Sequence, residues 1–249
     1  GLDSFVFVDD QIFEQEQMKF NLPEVKVLQV TGDPLNILNA IDNCWFFDAY
    51  RISKEDLLRN RDYEMQSQRI ALKKNSSSPE DFLKTLKLVT SILPVKESSI
   101  GRVLQMLNKT NQFNLTTRRH SESKVRGFLN NCENILLTLS LSDRFGDQGI
   151  VGLVIALVDG KNIHLDSFLL SCRALGRGVE QALWVSFLNE VNNKKANISA
   201  EYIRTPKNSQ VSNFLDKQGM VRTNNDVDHF TYQVQLPLRA EFPCWIENI

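Results

Sequence analysis

One short stretch, Arg173-Ala-Leu-Gly176-Arg-Gly178, constrains this chain more than any other. It follows an alternating apolar run, Ile163 to Leu170, and precedes a helical pattern with Val179, Ala182, Leu183 and Phe187 on one face. The pattern R-x-x-G-x-G is thereby set at a strand-to-helix turn. Such a turn directs unpaired backbone N–H groups outward from the positive end of a helix, an arrangement suited to a pyrophosphate. Glycine lets a phosphate approach the main chain closely. Arg173, Gly176, Arg177, Gly178, Val179 and Glu180 are therefore candidate anion-binding residues. Val179 and Glu180 fall in the first helical turn, where N–H groups have no intrahelical acceptor. The two arginines offer charge-assisted contacts.

The bulk properties exclude several classes. With 249 residues and 42% hydrophobic content, the chain has enough apolar material for a core. A formal charge of −1 argues against nucleic acid as a partner, because phosphate backbones call for a basic face. No apolar run approaches the roughly 20 residues of a membrane helix. Cys44, Cys132, Cys172 and Cys244 lie far apart without metal-site spacing, and read as reduced thiols in a cytoplasmic protein. His120, His164 and His229 are equally scattered, and no partner for His164 or His229 is visible.

Along the chain, Phe5-Val-Phe-Val8 reads as a buried parallel strand ending in Asp9-Asp10. Such a strand needs neighbours, and few candidates follow, so an upstream part is expected. A helix over 10–20 and a second strand over 25–30 come next. Asp33-Pro34 and Ser78-Pro79 open helices by capping chemistry, and Ser53-Lys-Glu-Asp56 is a capping-box pattern before a long charged helix. After Lys96 an amphipathic helix carries Ile100, Val103, Leu104 and Leu107. A dense polar loop over 109–119 and a helix over 121–129 lead to three successive strands, near 135–141, 150–158 and 163–170, with turns at Gly149 and Asp159-Gly160. Beyond the glycine turn come a helix, a strand over 198–203, a helix from Thr205-Pro206 to Gly219, and a last alternating strand over 230–236.

The order from Lys96 onward resembles the GNAT acyltransferase fold. Arg173 to Gly178 is similar to that family's coenzyme A pyrophosphate loop, and Asn208-x-x-Val-x-x-Phe-Leu-x-x-x-Gly219-Met220 to its next helix. Further motifs extend the likeness: Phe7-Val-Asp9-Asp10, Glu55-Asp56-Leu-x-Arg59-Asn60, Lys109 to Arg118, Asp143-Arg-Phe-Gly-Asp147 and Ser171 to Glu180. Together these resemble the FkbH-like family, which joins a haloacid-dehalogenase-like (HAD) domain to a GNAT-like domain. The resemblance implies a mixed α/β chain with residues 1–93 as a HAD-like remnant plus connecting helices and residues 94–249 as the GNAT-like domain. It implies glyceryl or acyl transfer to the phosphopantetheine thiol of an acyl carrier protein, feeding methoxymalonyl-type extender units of polyketides. The partners implied are the carrier protein and a glyceryl or acyl donor, with the pantetheine arm paired along Ile163–Leu170. A coenzyme A-dependent N-acyltransferase and a non-catalytic carrier-docking module are the alternatives.

The resemblance also assigns residues. Asp9 and Asp10, at a strand end, are candidate Mg²⁺ ligands of a complete HAD domain, although the Asp-x-Asp-x-Thr-like nucleophile motif is absent. Asn208 joins the cofactor-binding set. Asn111, in the polar loop, and Arg144 and Asp147, after the first of the three strands, are candidates for contacting the transferred group or moving a proton. GNAT enzymes often carry a tyrosine as acid for the departing thiolate; counted from Asn208, that position is Leu215, which has no proton to give.

Overall fold

The computed structural model describes residues 2, 5–30, 32–47, 59–192, 196–224 and 226–249. Two compact units divide between Asn60 and Arg61. The motif residues 53–58 lie outside the described part, so the capping box at Ser53 and most of the Glu55 motif have no structural counterpart here.

In the first unit, β1 (Val6–Asp9) and β2 (Lys26–Gln29) pair in parallel, Val6 opposite Lys26, joined through α1 (Ile12–Asn21). Asp33 caps α2 (Pro34–Asp42), its carboxylate accepting from the Leu35 N–H at 3.0 Å. The parallel pairing expected of the first strand is present, but its burial is not: Phe5 is 63% exposed. Phe13 and Phe20 on α1 are exposed too, while the polar Gln15 is buried, donating to the Asp9 carbonyl at 2.7 Å.

The second unit is built on one mixed sheet. Its helices and strands, in chain order, are α3 (Arg59–Asn75), α4 (Pro79–Leu86), β3 (Leu88–Pro94), α5 (Ile100–Lys109), β4 (Phe113–Asn114), α6 (Glu122–Asn130), β5 (Ile135–Asp143), β6 (Gly146–Asp159), β7 (Asn162–Leu170), α7 (Val179–Val191), β8 (Asn197–Ile203), α8 (Phe214–Lys217), β9 (Val221–Arg222), β10 (His229–Gln235) and β11 (Ile246–Asn248). The sheet order is β11-β3-β5-β6-β7-β8-β10-β9, with β4 on β7. The expected order of helix, three antiparallel strands, glycine turn, helix and strand is the order found.

Two apolar layers sandwich the sheet. On one side α7 contributes Val179, Ala182, Leu183, Trp184 and Phe187 against Val151, Val154, Ile163 and Phe168. On the other, Val103, Met106 and Leu107 of α5 and Val125 of α6 meet Leu136, Leu153, Ile155 and Leu169. β6 is covered on both faces, which is why its sequence is nearly continuous in apolar residues instead of alternating.

One irregularity sets the geometry of everything that follows. Ile155 lies opposite Ser167, and the next residue, Ala156, lies opposite Leu165. Asp166 is thus an extra residue, a β-bulge that bends the strand. Its effect on phase is visible: Ile163 and Leu165 before it, and Phe168 and Leu170 after it, all enter the α7-side core. Parallel pairing of β7 with β8 runs only from Asn162↔Asn197 to Leu165↔Ala200. Beyond the bulge the two strands part, and the chain's own β4 enters the gap, with Phe113 opposite Leu170 and Asn114 opposite Leu169. Leu115 completes the bridge: its N–H donates to Phe168 at 3.2 Å, and its carbonyl accepts from the Ile203 N–H at 2.9 Å.

Several expectations shift. The compact units divide at 60/61, and residues 88–94 form β3, which pairs with β5 inside the large sheet. The polar loop contains β4. Gly149 is not a turn but a residue within β6 near a register shift, with φ +63°; the hairpin closes at Asp143↔Gly146. The helix expected from Thr205 to Gly219 is a short 3-10 turn at Ser209–Val211 followed by α8.

Candidate active site

The glycine turn forms because β7 must reverse into α7 within a few residues. Gly176 and Gly178 take φ of +73° and +79°, the left-handed region where side chains are costly, and Gly178 is the N-cap of α7. Among the described residues, none of the N–H groups of Gly176, Arg177, Gly178 or Val179 makes a close, well-aligned hydrogen bond to a protein acceptor. These four lie at the positive end of a 13-residue helix, an anion-binding arrangement.

Glu180 behaves differently from the expectation. Its carboxylate turns back on its own N–H, and Oε2 is buried without a partner. Burial pushes its pKa up, against smaller opposing effects of that N–H and Lys217. Arg177 also departs from its expected role. Its guanidinium turns inward, donating to Asp143 at 3.3 Å and to Gln148 at 3.0 Å. Asp143 is bound as well by Arg69 of α3, at 2.6 and 2.9 Å. Two buried guanidiniums thus share one buried carboxylate. Burial, with Arg69 alongside, lowers the Arg177 pKa to about 10 despite Asp143. Arg177 is therefore spent on the core, though the cluster keeps positive charge beside the turn. Arg173 sits in the 3-10 turn at Cys172–Ala174.

The chain's C-terminal segment covers part of this turn. The Trp245 indole N–H donates to the Arg177 carbonyl at 2.9 Å. A Cβ placed on Gly178 would stand 2.9 Å from Trp245 Cζ2, so the glycine is required by the indole as well as by its φ. Arg144 and Asp147 lie in the β5–β6 hairpin, at the same end of the sheet as the glycine turn. Both are exposed; Arg144 lies over the Phe145 ring, and Asp147 accepts from the Gly149 N–H at 2.8 Å.

A second constellation forms where β7 and β8 part, and the sequence does not announce it. Asp166, the bulge residue, accepts from Ser167 Oγ at 2.7 Å and lies 2.7 Å from His120 Nε2. Arg118 approaches Asp166 at 3.6 Å and binds Glu201 on β8. Glu201 meets His229 Nε2 of β10 at 2.6 Å and His164 Nε2 of β7 at 3.4 Å. All three histidines of the chain thus converge with two carboxylates and one guanidinium. Burial alone would raise the Glu201 pKa, but hydrogen bonds from Arg118 and His229 outweigh it and hold the carboxyl below its usual range. The only hint in the sequence was the dense polar loop that supplies Arg118 and His120. Asn111, from the same loop, is engaged with Arg119 instead.

Asn208 is fully buried and its amide is fully used. Nδ2 donates to the carbonyls of Asn114 (3.0 Å) and Ile203 (2.9 Å), while Oδ1 accepts from the Thr205 N–H and the Tyr202 hydroxyl. It fastens β4 into the gap. Leu215 is core, as its chemistry dictates. Asp9 is used locally, its carboxylate accepting from the Gln11 N–H at 2.8 Å just before α1, and Asp10 lies near Gly32. Among the described residues, no group of three or more His, Cys, Asp or Glu side chains is placed to hold a metal ion. No described helix is long and apolar enough to cross a membrane.

No family model matches the chain, and no curated protein does. Among solved structures, Ard1 from Thermoplasma volcanium is similar at 15% identity and a TM-score of 0.48, over 59% of this chain and 98% of that one. The ribosomal-protein-S18-alanine N-acetyltransferase from Escherichia coli is similar at 13% identity and a TM-score of 0.44, over 62% and 97%. A chain of the NatC complex bound to Gag peptide and CoA gives 14% identity and a TM-score of 0.48, over 59% and 99%.

Proposed function

We propose that residues 61–249 form an acyltransferase that takes its acyl group from a phosphopantetheine thioester, with coenzyme A as the donor. The observation that supports this most is the run of four N–H groups from Gly176 to Val179, at the N-terminus of α7, that make no close, well-aligned hydrogen bond within the protein. They fit a pyrophosphate, and the neighbouring guanidinium cluster favours its charge. The bound thioester supplies the activated acyl carbon. The protein's part is to seat the phosphates, present an acceptor nucleophile and manage its proton.

The pairing expected between a pantetheine arm and Ile163–Leu170 is already made by β4 and Leu115. In the proposed complex the arm is therefore held chiefly by its phosphates. Glyceryl or acyl transfer to an acyl carrier protein uses the same phosphopantetheine chemistry and is the finer version of this proposal. The first unit, with Asp9 and Asp10 as Mg²⁺ ligands in a complete HAD-like domain, belongs to that version. A second reading, a carrier-docking module without catalysis, is favoured by the filled β7 edge and by Leu215.

The test is titration calorimetry with coenzyme A and, separately, with a phosphopantetheinylated carrier protein. Gly176→Asp is the control: aspartate tolerates a positive φ better than most residues, no atom lies within 4 Å of the added Cβ, and its charge opposes phosphate. Wild-type binding lost in Gly176→Asp is the expected outcome. Carrier binding without coenzyme A binding or turnover would establish the docking reading, and binding of neither would remove the turn from the function.

A further inference from the structure

The cluster at the parted strands contains an acid–base pair that the glycine turn does not explain. Glu201 Oε1 lies 2.6 Å from His229 Nε2. A carboxylate accepting there fixes the proton on Nε2 and leaves Nδ1 as the basic nitrogen. Glu201 is itself held by Arg118, and its side chain is only 16% exposed, whereas His229 is 45% exposed. A half-buried anion orienting a solvent-reachable imidazole is the arrangement used to activate a nucleophile. The other histidines are placed less well. His120 is buried against Asp166 and Phe128, and His164 divides its contacts among Ser199, Arg118 and Glu201. His229 lies opposite Ile203, at the carboxyl end of β8. The glycine turn leaves the carboxyl end of β7, the strand parallel to it. Ligands of α/β sheets gather at such ends.

We propose that His229 is the general base for the acceptor, with Glu201 and Arg118 as positioning residues; this rests on the acyl-transfer reading above. The acceptor amine attacks the thioester carbonyl carbon, and His229 Nδ1 takes the N–H proton. The C–S bond breaks, and the imidazolium returns the proton to the departing sulfur. An amide and a free thiol result, and the base is restored.

The test follows thiol release from acetyl-coenzyme A with a panel of primary amines, using wild type, His229→Gln, His164→Gln and Gly176→Asp. His229→Gln is expected to lower kcat by about 100-fold with the KM for acetyl-coenzyme A unchanged and with unaltered thermal unfolding. His164→Gln should lower kcat far less than His229→Gln does. Nitrogen-15 spectra of the rings give a readout apart from turnover: His229 should show the Nε2–H tautomer, and Glu201→Ala should mix the two forms. The proposal is overturned when His229→Gln keeps its kcat within about threefold, when His164→Gln is the damaging change, or when Glu201→Ala leaves the tautomer unaltered. Wild type without turnover overturns it together with the acyl-transfer reading, whereas turnover that depends on Gly176 but not His229 sinks the base alone.

Discussion

Glu180 and Glu201 are half-buried carboxylates whose surroundings push them in opposite directions. Glu180 has a folded-state pKa above its usual value because burial is not compensated. The folded protein then holds that proton more tightly than the unfolded chain does. Its contribution is fully favourable below the unfolded pKa and is lost as pH rises through the folded one. Glu201 is the reverse case, contributing above the unfolded pKa and losing that contribution as pH falls through the lowered folded value. Glu180→Gln is therefore expected to raise Tm at pH 8, with the gain vanishing near pH 4, at the ordinary glutamate range. Glu201→Gln should lower Tm at pH 8, with the loss shrinking in acid. Melting curves at the two pH values check both signs, and a Glu180→Gln gain that persists unchanged in acid would refute the burial argument. The sequence showed Glu180 as a helix-start residue but not its burial. For Arg177 it showed a cation in a turn. The inward course depends on Asp143, 34 residues away, and no local pattern records such a distance.

At the scale of elements, long periodic segments were legible and short inserted ones were not. β5, β6, β7 and α7 follow from alternation or helical spacing, since each buries a face or two against a layer. β4 has two residues, too few for a period, and sits among Asn, Gln and Thr that read as loop. Its existence depends on the bulge at Asp166, which opens the gap, and on Asn208, which fastens the strand there. The three-histidine cluster was hidden for the same reason, because its members come from four separate segments joined only by sheet register. Asn208→Ala removes four hydrogen bonds in a buried place, a loss on the order of 2–4 kcal/mol. Urea denaturation should show that cost. Amide exchange should show faster exchange at Leu115, whose N–H pairs with Phe168. Unchanged protection at Leu115 would mean that β4 is held by strand pairing alone.

The whole chain divides unequally. Among the described residues of the first unit the buried apolar ones are Val25, Val30 and Cys44, while Phe5, Ile12, Phe13, Phe20, Leu35, Leu38 and Trp45 are mostly exposed. The second unit contains nearly all of the buried core. So small an apolar interior supports little stability on its own. Amides of β1 and β2 are expected to exchange with solvent orders of magnitude faster than those of β5–β7, as hydrogen-exchange mass spectrometry would measure; equal protection would contradict the division. The sequence located the large fold but did not show Leu88–Pro94 as part of its sheet, since this segment directly follows a helix and its partner β5 comes some forty residues later. The last residues of the chain return to the edge of that same sheet, and on the way Trp245 rests on Gly178. Trp184 is sealed in the core and Trp45 is largely in water, whereas Trp245 touches the glycine turn. The molecule thus carries an optical reporter at the proposed phosphate seat, and a ligand arriving there should announce itself as a change in emission without any dye attached.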